Sequence, residues 1–177
     1  MYNNKIIIKE TSKEDLEHLL SLWNNGEVMN FVGFPKGLGE TMIKMKQWLS
    51  WIEDGRPKRN HYSVYTDDFG YCGETFYDID KGHGNSASLD IKLVMKARGK
   101  GIATKALSHS IEQAFTNGAE KVWVDPNPAN EKAIALYRRL GFFEKEMPEY
   151  LKEDECDCDF VPAYMELTSK QWYKENH

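Results

Sequence analysis

The spacing of apolar residues along the chain predicts four helices. Each predicted helix repeats apolar residues at intervals of three or four positions, which places them on one face. Thr11, followed three residues later by Glu14, predicts a capping box at the start of the first helix. The four apolar faces consist of Leu16, Leu19, Leu20 and Trp23; of Met42, Met45, Leu49 and Ile52; of Ala103, Leu107, Ile111 and Ala114; and of Ala133, Leu136, Tyr137 and Leu140.

Short runs rich in β-branched and aromatic residues predict the strands. The chain opens with KIIIKE, and a meander of HYSVYT, GYCGETFYDI and SASLDIKLV follows the second helix. KVWV, FFEKEM and VPAYMEL supply the later strands. This order contains one clear βαβ-type unit, at residues 88–125, and predicts a mixed α/β or α+β fold with a single sheet. We expect residues 1–177 to form a single domain, because no repeat or low-complexity linker interrupts the order.

Composition and charge exclude several functional classes. The formal net charge is −5, and no basic stripe interleaved with aromatic residues suggests nucleic acid as a partner. No apolar run approaches the roughly 18 residues needed to cross a bilayer, so no membrane partner is expected. Three cysteines are too few for a disulfide framework and favour a cytoplasmic protein with reduced thiols.

The charge is unevenly distributed. Residues 144–159 contain eight acidic residues against Lys145 and Lys152. This run fits either a solvated loop or a surface that attracts a cationic substrate. Cys156 and Cys158 lie within it, but two cysteines without a second pair fall short of a zinc site, so no metal is expected.

A basic glycine turn, MKARGKGIAT, precedes the third predicted helix. Glycines allow backbone amides to approach a ligand closely, and the start of a helix favours an anion. The turn is not a P-loop, since Ile102 and Ala103 follow the second glycine. A dinucleotide fingerprint would need a third glycine where Thr104 stands. The turn is therefore either an anion-binding site or a simple glycine-rich connector.

Together with a second segment, DPNPANEKAIALYRRLGF, this turn resembles the GNAT superfamily of acetyl-CoA-dependent N-acetyltransferases. The resemblance extends from the opening strand to YMEL, although residues 24–60 match only loosely. It implies a mixed, mostly antiparallel sheet flanked by about four helices. Ala103 stands where the family more often has glycine. The matching residues are Arg98, Gly101 and Ala103 in the first signature, and Asn130, Ala133, Leu136, Tyr137, Gly141 and Phe142 in the second.

The resemblance also implies acetyl-CoA as the cosubstrate. In such a fold the strand before the turn splays, and backbone near Leu93 bonds the pantetheine arm. Asn130 suits a helix N-cap, and the resemblance adds a contact with the pantetheine amides. The pyrophosphate is expected at the turn, on Arg98, Gly99, Lys100, Gly101, Ile102, Ala103 and Thr104.

Acetyl transfer to an amine needs a base for the amine and a proton for the departing thiolate. Tyr137 is either a core residue or, as the resemblance implies, the acid that protonates the sulfur. Asp90 is either paired with Lys92 or another cation, or is the base, with Glu74 as second choice. Cys72 has no adjacent histidine, which disfavours an acyl-cysteine and favours direct attack in a ternary complex.

Two branches of the superfamily match different segments. SLWNNGEVMNFVGFP is similar to the enzymes that acetylate ribosomal-protein N-termini, whereas VDPNPANEKAIALYRRLGF is similar to the aminoglycoside six-prime acetyltransferases. In the latter the aspartate matching Asp125 binds the cationic sugar, so Asp125 and Glu74 are the expected acceptor-binding residues. We expect a small-molecule amine, preferably a polycation, with a protein N-terminus as the alternative and an inactive CoA-binding module as a third. Tryptophans and methionines in residues 42–52 would suit a homodimer contact.

Overall fold

The computed structural model describes residues 5–152 and 160–176. In this part of the chain, seven strands form one sheet in the order β1-β2-β3-β4-β5-β7-β6. The β4–β5 pair is parallel and the other neighbours are antiparallel. The expected mixed, mostly antiparallel sheet is confirmed. The strands are β1 (Ile6–Glu10), β2 (Arg59–Thr66), β3 (Gly70–Asp80), β4 (Ser86–Leu93), β5 (Lys121–Val124), β6 (Phe143–Glu144) and β7 (Met165–Thr168).

The four predicted helices are present as α1, α3, α4 and α5. Three further helices, α2, α6 and α7, have little apolar periodicity and were not expected from the sequence. No helix in the described ranges is long and apolar enough to cross a membrane. The helices are α1 (Leu16–Trp23), α2 (Gly26–Met29), α3 (Met42–Gly55), α4 (Ile102–Thr116), α5 (Glu131–Arg139), α6 (Glu149–Lys152) and α7 (Ser169–Asn176).

The capping box before α1 lies one residue later than expected. The Ser12 backbone N–H donates to Asp15 Oδ2 at 2.8 Å. Thr11 is buried instead, and its Oγ1 lies 2.7 Å from His61 Nδ1 and 2.8 Å from Ser63 Oγ. The predicted Thr11–Glu14 box is therefore wrong, because strand β2 takes the threonine hydroxyl and leaves the next residue to cap the helix.

Helices cover both faces of the sheet. On one face α4 packs its buried Leu107, Ile111 and Ala114 into the main core, and Ser110 Oγ lies 2.9 Å from Thr75 Oγ1 of β3. On the other face lie α1 and α3, whose apolar side chains form a separate cluster around Leu19. The apolar faces predicted for α3 and α4 are thus confirmed.

The parallel strands β4 and β5 pair only over three residues. Ser86–Ser88 of β4 face Lys121–Trp123 of β5, whereas β4 continues to Leu93. Beyond Ser88 the strands diverge and leave an edge of β4 open, as the resemblance implied. We call this opening the β4/β5 cleft, and β4 leads directly from it into the basic glycine turn.

A buried carboxylate, Glu74 of β3, joins four elements on the α1 face. Trp23 Nε1 donates to both of its oxygens, at 2.8 and 2.9 Å. His61 Nε2 of β2 lies 2.9 Å from Oε2, and Lys92 Nζ of β4 lies 3.2 Å from Oε1. Burial alone would raise the pKa of Glu74, but Lys92 and His61 outweigh burial and lower it to about 2. The carboxylate is therefore ionised, so His61 Nε2 is the donor.

We predict that Glu74→Gln lowers the free energy of unfolding by about 3 kcal/mol at pH 7, because Lys92 and His61 lose their ionised partner while remaining buried. The depressed pKa contributes stability above about pH 4.5 that is lost as pH falls towards about 2. In Glu74→Gln the free energy of unfolding should not show this loss as the pH falls from about 4.5 towards 2. Urea unfolding between pH 2 and 7 measures both effects, with exposed Glu17→Gln as the control. Equal stability of variant and wild type at pH 7 would contradict the assignment.

Candidate active site

The basic glycine turn has the backbone of an anion site. Gly99 and Gly101 both have positive φ angles, 72° and 75°, and a Cβ added at either would meet no atom within 4 Å. Gly101 occupies the N-cap of α4 and brings no side chain to cap it. The first amides of the helix, those of Ile102–Thr104, therefore have no acceptor within the helix and point outward at its positive end.

Cationic side chains surround this turn and are held in place. Arg98 Nε donates to the Leu93 carbonyl at 3.1 Å. Lys96 Nζ donates to the Phe69 carbonyl at 2.8 Å, and Lys100 Nζ lies 5.1 Å from the centre of the Phe69 ring. The turn and the last residue of β4 thus form one unit.

The open edge of β4 presents alternate backbone groups to the cleft. Val94 N–H donates to the Cys72 carbonyl, which shows that even-numbered residues bond towards β3 at this end. Leu93 and Ile91 accordingly direct their backbone groups at the β4/β5 cleft. Because Arg98 already holds the Leu93 carbonyl, the Leu93 N–H is the group left for a ligand lying along the strand.

Asp90 is paired with Lys92, which is the alternative considered from the sequence. Lys92 Nζ contacts both Asp90 Oδ2 and Glu74 Oε1. Burial lowers the pKa of Lys92, but the two carboxylates outweigh burial and raise it above its ordinary value. The Lys92 side chain is 9% exposed and the Asp90 side chain 47% exposed, so Asp90 keeps an open side. Ile91 N–H also donates to Asp90 Oδ1 at 2.8 Å, so both carboxylates have a partner on each oxygen, and they differ in that Asp90 is partly exposed while Glu74 is buried.

Asp125 stands opposite Asp90 across the cleft. Ser88 pairs with Trp123, so Asp90 and Asp125, each two residues further on, lie level on the diverging strands and on the same face. Asp125 has no ion-pair partner among the described residues. It is open to solvent, but the surrounding protein removes part of its hydration and, with the charge of Asp90, raises its pKa to about 6.

Tyr137 joins this pair from α5. Its ring is buried and packs near Phe142, with ring centres 5.7 Å apart, and its hydroxyl has no hydrogen-bond partner among residues 5–152 and 160–176. Burial and then the charges of Asp90 and Asp125 raise its pKa. Because the charges of Asp90 and Asp125 act on the Tyr137 hydroxyl, the three groups lie around the β4/β5 cleft. The side chain of Asn130 caps α5 by accepting from Ala133 N–H at 3.2 Å, so its N-cap role is confirmed.

An aromatic cavity of 310 Å³ opens beside Asp90, Lys92 and Glu74 on the same face. Its walls are largely apolar, and Phe34 and Trp51 in its lining are 43% and 45% exposed. A chain of ring contacts runs along its base, with the Trp48 ring 4.7 Å from His61 and 4.9 Å from Trp23. The cavity therefore offers an apolar surface next to charged groups.

Most of the acidic run lies outside the described residues. Within them, Glu144 pairs with Arg138, and Lys152 lies 3.4 Å from Glu146 and 2.6 Å from Glu149. The other acids are Glu153, Asp154, Glu155, Asp157 and Asp159, and Cys156 and Cys158 fall in the same gap. No cluster that could hold a metal occurs in the described part of the chain. Cys72 is buried, with Sγ 3.5 Å from Thr66 Oγ1.

Sequence reasoning missed His61 and gave Lys92 only a minor role. Each contacts Glu74, but from a different strand. The spacing of Asp90 and Lys92 on one strand is visible in the sequence. The contact with His61 depends on the pairing of β2 with β3, which no local pattern reveals.

Comparison with known proteins identifies the family of this chain. A family model described as the acetyltransferase (GNAT) domain matches residues 5–143. An uncharacterized N-acetyltransferase of Methanocaldococcus jannaschii is 26% identical over 147 residues, which cover 79% of this chain and 62% of that protein. The spermidine N(1)-acetyltransferase of Escherichia coli is 27% identical over 141 residues, covering 78% of this chain and 73% of that one. The chain thus spans less than two thirds of the first relative.

Among solved structures, the spermidine N-acetyltransferase from Vibrio cholerae in complex with CoA and spermine superposes with a TM-score of 0.78. The match covers 95% of this chain and 98% of that one at 18% identity, which establishes a shared fold. The fold, the two signature segments and the match over residues 5–143 lead to one conclusion. The chain belongs to the GNAT family of acetyl-CoA-dependent N-acetyltransferases.

Proposed function

We propose that this protein transfers the acetyl group of acetyl-CoA to a primary amine of a small polycation, by direct attack in a ternary complex. The main support is the arrangement of an anion-binding turn at the end of a cleft that Asp90, Asp125 and Tyr137 surround. The pyrophosphate would bind the amides of Ile102–Thr104 with Arg98 and Lys100 nearby. The pantetheine arm would lie along β4 at Leu93, with Asn130 on its other side.

The acceptor amine must first lose a proton. In this proposal the ammonium binds Asp125 and gives its proton to Asp90, whose open side faces the cleft while Lys92 holds its other side. The neutral nitrogen then attacks the thioester carbonyl, forming the N–C bond. Glu74 acts as a positioning residue, because it fixes Lys92 rather than contacting the acceptor.

Collapse of the tetrahedral intermediate breaks the C–S bond and releases a thiolate. Tyr137 would donate its phenolic proton to that sulfur, and the nitrogen, which still carries one proton more than the amide product, would return a proton to the phenolate and so restore Tyr137. The raised pKa keeps the phenol protonated, and a thiolate released in the same poorly hydrated space is more basic than it would be in water. Both groups are thus shifted in the same direction, which keeps the proton transfer feasible.

A polycation is the favoured acceptor for two reasons. Asp90 and Asp125 face each other across the cleft, and Asp125 has no cation of its own in the described ranges. The Escherichia coli and Vibrio cholerae proteins compared above are named for spermidine. A polyamine therefore matches the negative charge of the cleft and the substrate for which the two similar proteins are named.

The aromatic cavity favours a second candidate acceptor, a protein N-terminus. Its exposed Phe34 and Trp51 would suit an apolar first side chain of a peptide. Turnover of a Met-initiated peptide faster than spermidine would favour this candidate over the polycation.

Location and assembly stay predictions from the sequence. We propose a cytoplasmic protein and a homodimer contact on α3, where Ile43 is 73% exposed. Such a contact would cover an apolar side chain that the described chain leaves in solvent.

We predict that Gly101→Glu abolishes measurable acetyl-CoA binding, because it adds a negative charge and a strained side chain at the N-cap of α4. Gly118→Glu is the matched control, since Gly118 also has a positive φ, of 101°, open space around it, and a place beyond the other end of α4. Calorimetry with acetyl-CoA should show loss of binding only for the first variant. Unchanged affinity in Gly101→Glu would refute the pyrophosphate assignment.

Tyr137→Phe should lower kcat roughly 100-fold while acetyl-CoA affinity stays the same, because only the proton donor is removed. Tyr71→Phe provides the control, as it also removes a buried hydroxyl that has no partner among the residues the structure describes, but lies in the cluster under α1. Steady-state rates with spermidine compare the two variants. A Tyr137→Phe rate within about twofold of wild type would make Tyr137 a core residue only.

The raised pKa of Asp125 predicts that kcat/KM for spermidine rises as pH increases through about 6, because the carboxyl becomes charged there and binds the cation. Asp125→Asn should remove this rise. Asp90→Asn should lower kcat, but its kcat/KM should still rise with pH. Rate profiles from pH 5 to 8 test both variants. A rise that persists in Asp125→Asn would refute the assignment to Asp125.

A further inference from the structure

A second cavity, of 240 Å³, lies on the same sheet face as the aromatic cavity. We call it the distal pocket. It is lined at the end of β3, at the start of β4 and from α6, by residues that include Asp78, Asp80, Ser86, Ser88, Trp123 and Tyr150. None of these residues has a role in the mechanism above.

Three of the residues that line the distal pocket carry a buried polar atom with no hydrogen-bond partner among the described residues. Ser86 is fully buried, and its Oγ has no hydrogen-bond partner in the described ranges. Asp78 Oδ1 and the Tyr150 hydroxyl are also buried without one. Buried polar atoms are nearly always paired, because an unpaired one loses its hydration with no compensation. Their presence around one cavity therefore points to a polar ligand.

The pocket lining holds two carboxylates, those of Asp78 and Asp80, against one ammonium, that of Lys58, so its charges favour a cation. Lys58 Nζ lies 3.9 Å from Asp78 Oδ1, and Arg59 lies 3.6 Å from the other oxygen. Burial still raises the pKa of Asp78, with the nearby Asp80 adding to the effect, so these two cations do not fully compensate the carboxylate. An ammonium group has donors only, and the Ser86 and Tyr150 hydroxyls can each accept one of them.

The pocket and the cleft lie in line along the sheet. Asp90 pairs with Phe76, Ser88 with Asp78, and Ser86 with Asp80, all on one face. At 3.3 Å per residue, Ser86 lies about 13 Å along β4 from Asp90. Three bonds of an extended chain span about 3.8 Å, so about ten bonds connect the two positions.

We propose that the distal pocket binds a second ammonium group of the acceptor while the reacting amine lies at Asp90. This inference rests on the polycation acceptor proposed above. It selects acceptors by length: spermidine, with about nine bonds between its outer nitrogens, nearly spans the distance, whereas putrescine, with about five, does not.

The test compares KM for spermidine and putrescine at saturating acetyl-CoA. Ser86→Ala and Tyr150→Phe remove hydroxyls that have no partner in the described part of the chain, so folding and melting temperature should not change. Each should raise KM for spermidine about tenfold, the effect of losing one hydrogen bond to a charged group. The values of kcat and the KM for putrescine should stay within twofold of wild type.

Asp67→Asn, a change of an exposed acid in the turn between β2 and β3, is the charge control and should leave KM for spermidine unaltered. An unchanged KM for spermidine in both hydroxyl variants would overturn the distal pocket, as would an equal rise for putrescine. Wild-type turnover of both amines with the same KM would overturn it too, and leave the acetyltransfer proposal intact. No turnover of any amine would reject both.

Discussion

The organisation of the site depends on one constraint, the burial of the ionised Glu74 carboxylate. A charge in the interior needs hydrogen-bonding partners on each oxygen, and here Trp23, His61 and Lys92 supply them. These partners come from α1, β2 and β4, so satisfying one carboxylate fixes the position of a helix against three strands. It also fixes Lys92, whose ammonium reaches Asp90 at the edge of the β4/β5 cleft. The acceptor side of the site thus takes its geometry from a residue that has no free oxygen for the substrate.

The cofactor side depends on a different feature, the short pairing of β4 with β5. Three paired residues are enough to hold the strands parallel, and their divergence beyond Ser88 leaves backbone groups of β4 without a neighbouring strand. The chain then turns through Gly99 and Gly101, whose positive φ angles direct the first amides of α4 outward. An open strand edge and an open helix end therefore follow one another within about ten residues. An elongated ligand with an anionic group at one end matches this order.

Local patterns predicted much of the fold and part of the site. Helices α3, α4 and α5 and the turn before α4 were predicted because their signals, periodic apolar residues and glycines, are contained in a single segment. The capping box at Thr11 was wrong because a hydroxyl needed in the sheet is no longer available to the helix. The role of His61 could not be predicted, since it arises only when β2 pairs with β3 in the observed register. Contacts between distant segments, rather than the elements themselves, were what sequence analysis lacked.

The acidic residues of the acceptor face fall into two groups that differ in how well the protein compensates them. Glu74 and Asp90 share Lys92, and the low pKa of Glu74 reflects that compensation. Asp125 and Asp78 have raised pKa values: at Asp78 burial and Asp80 outweigh Arg59 and Lys58, and at Asp125 burial and Asp90 act where no described cation pairs with the carboxylate. A carboxylate left short of positive charge costs folding free energy, and a cationic ligand that binds there recovers it as affinity. Since Asp125 lies beside the cleft and Asp78 lies further along the same face, the two undercompensated acids mark a path for an acceptor with more than one ammonium group.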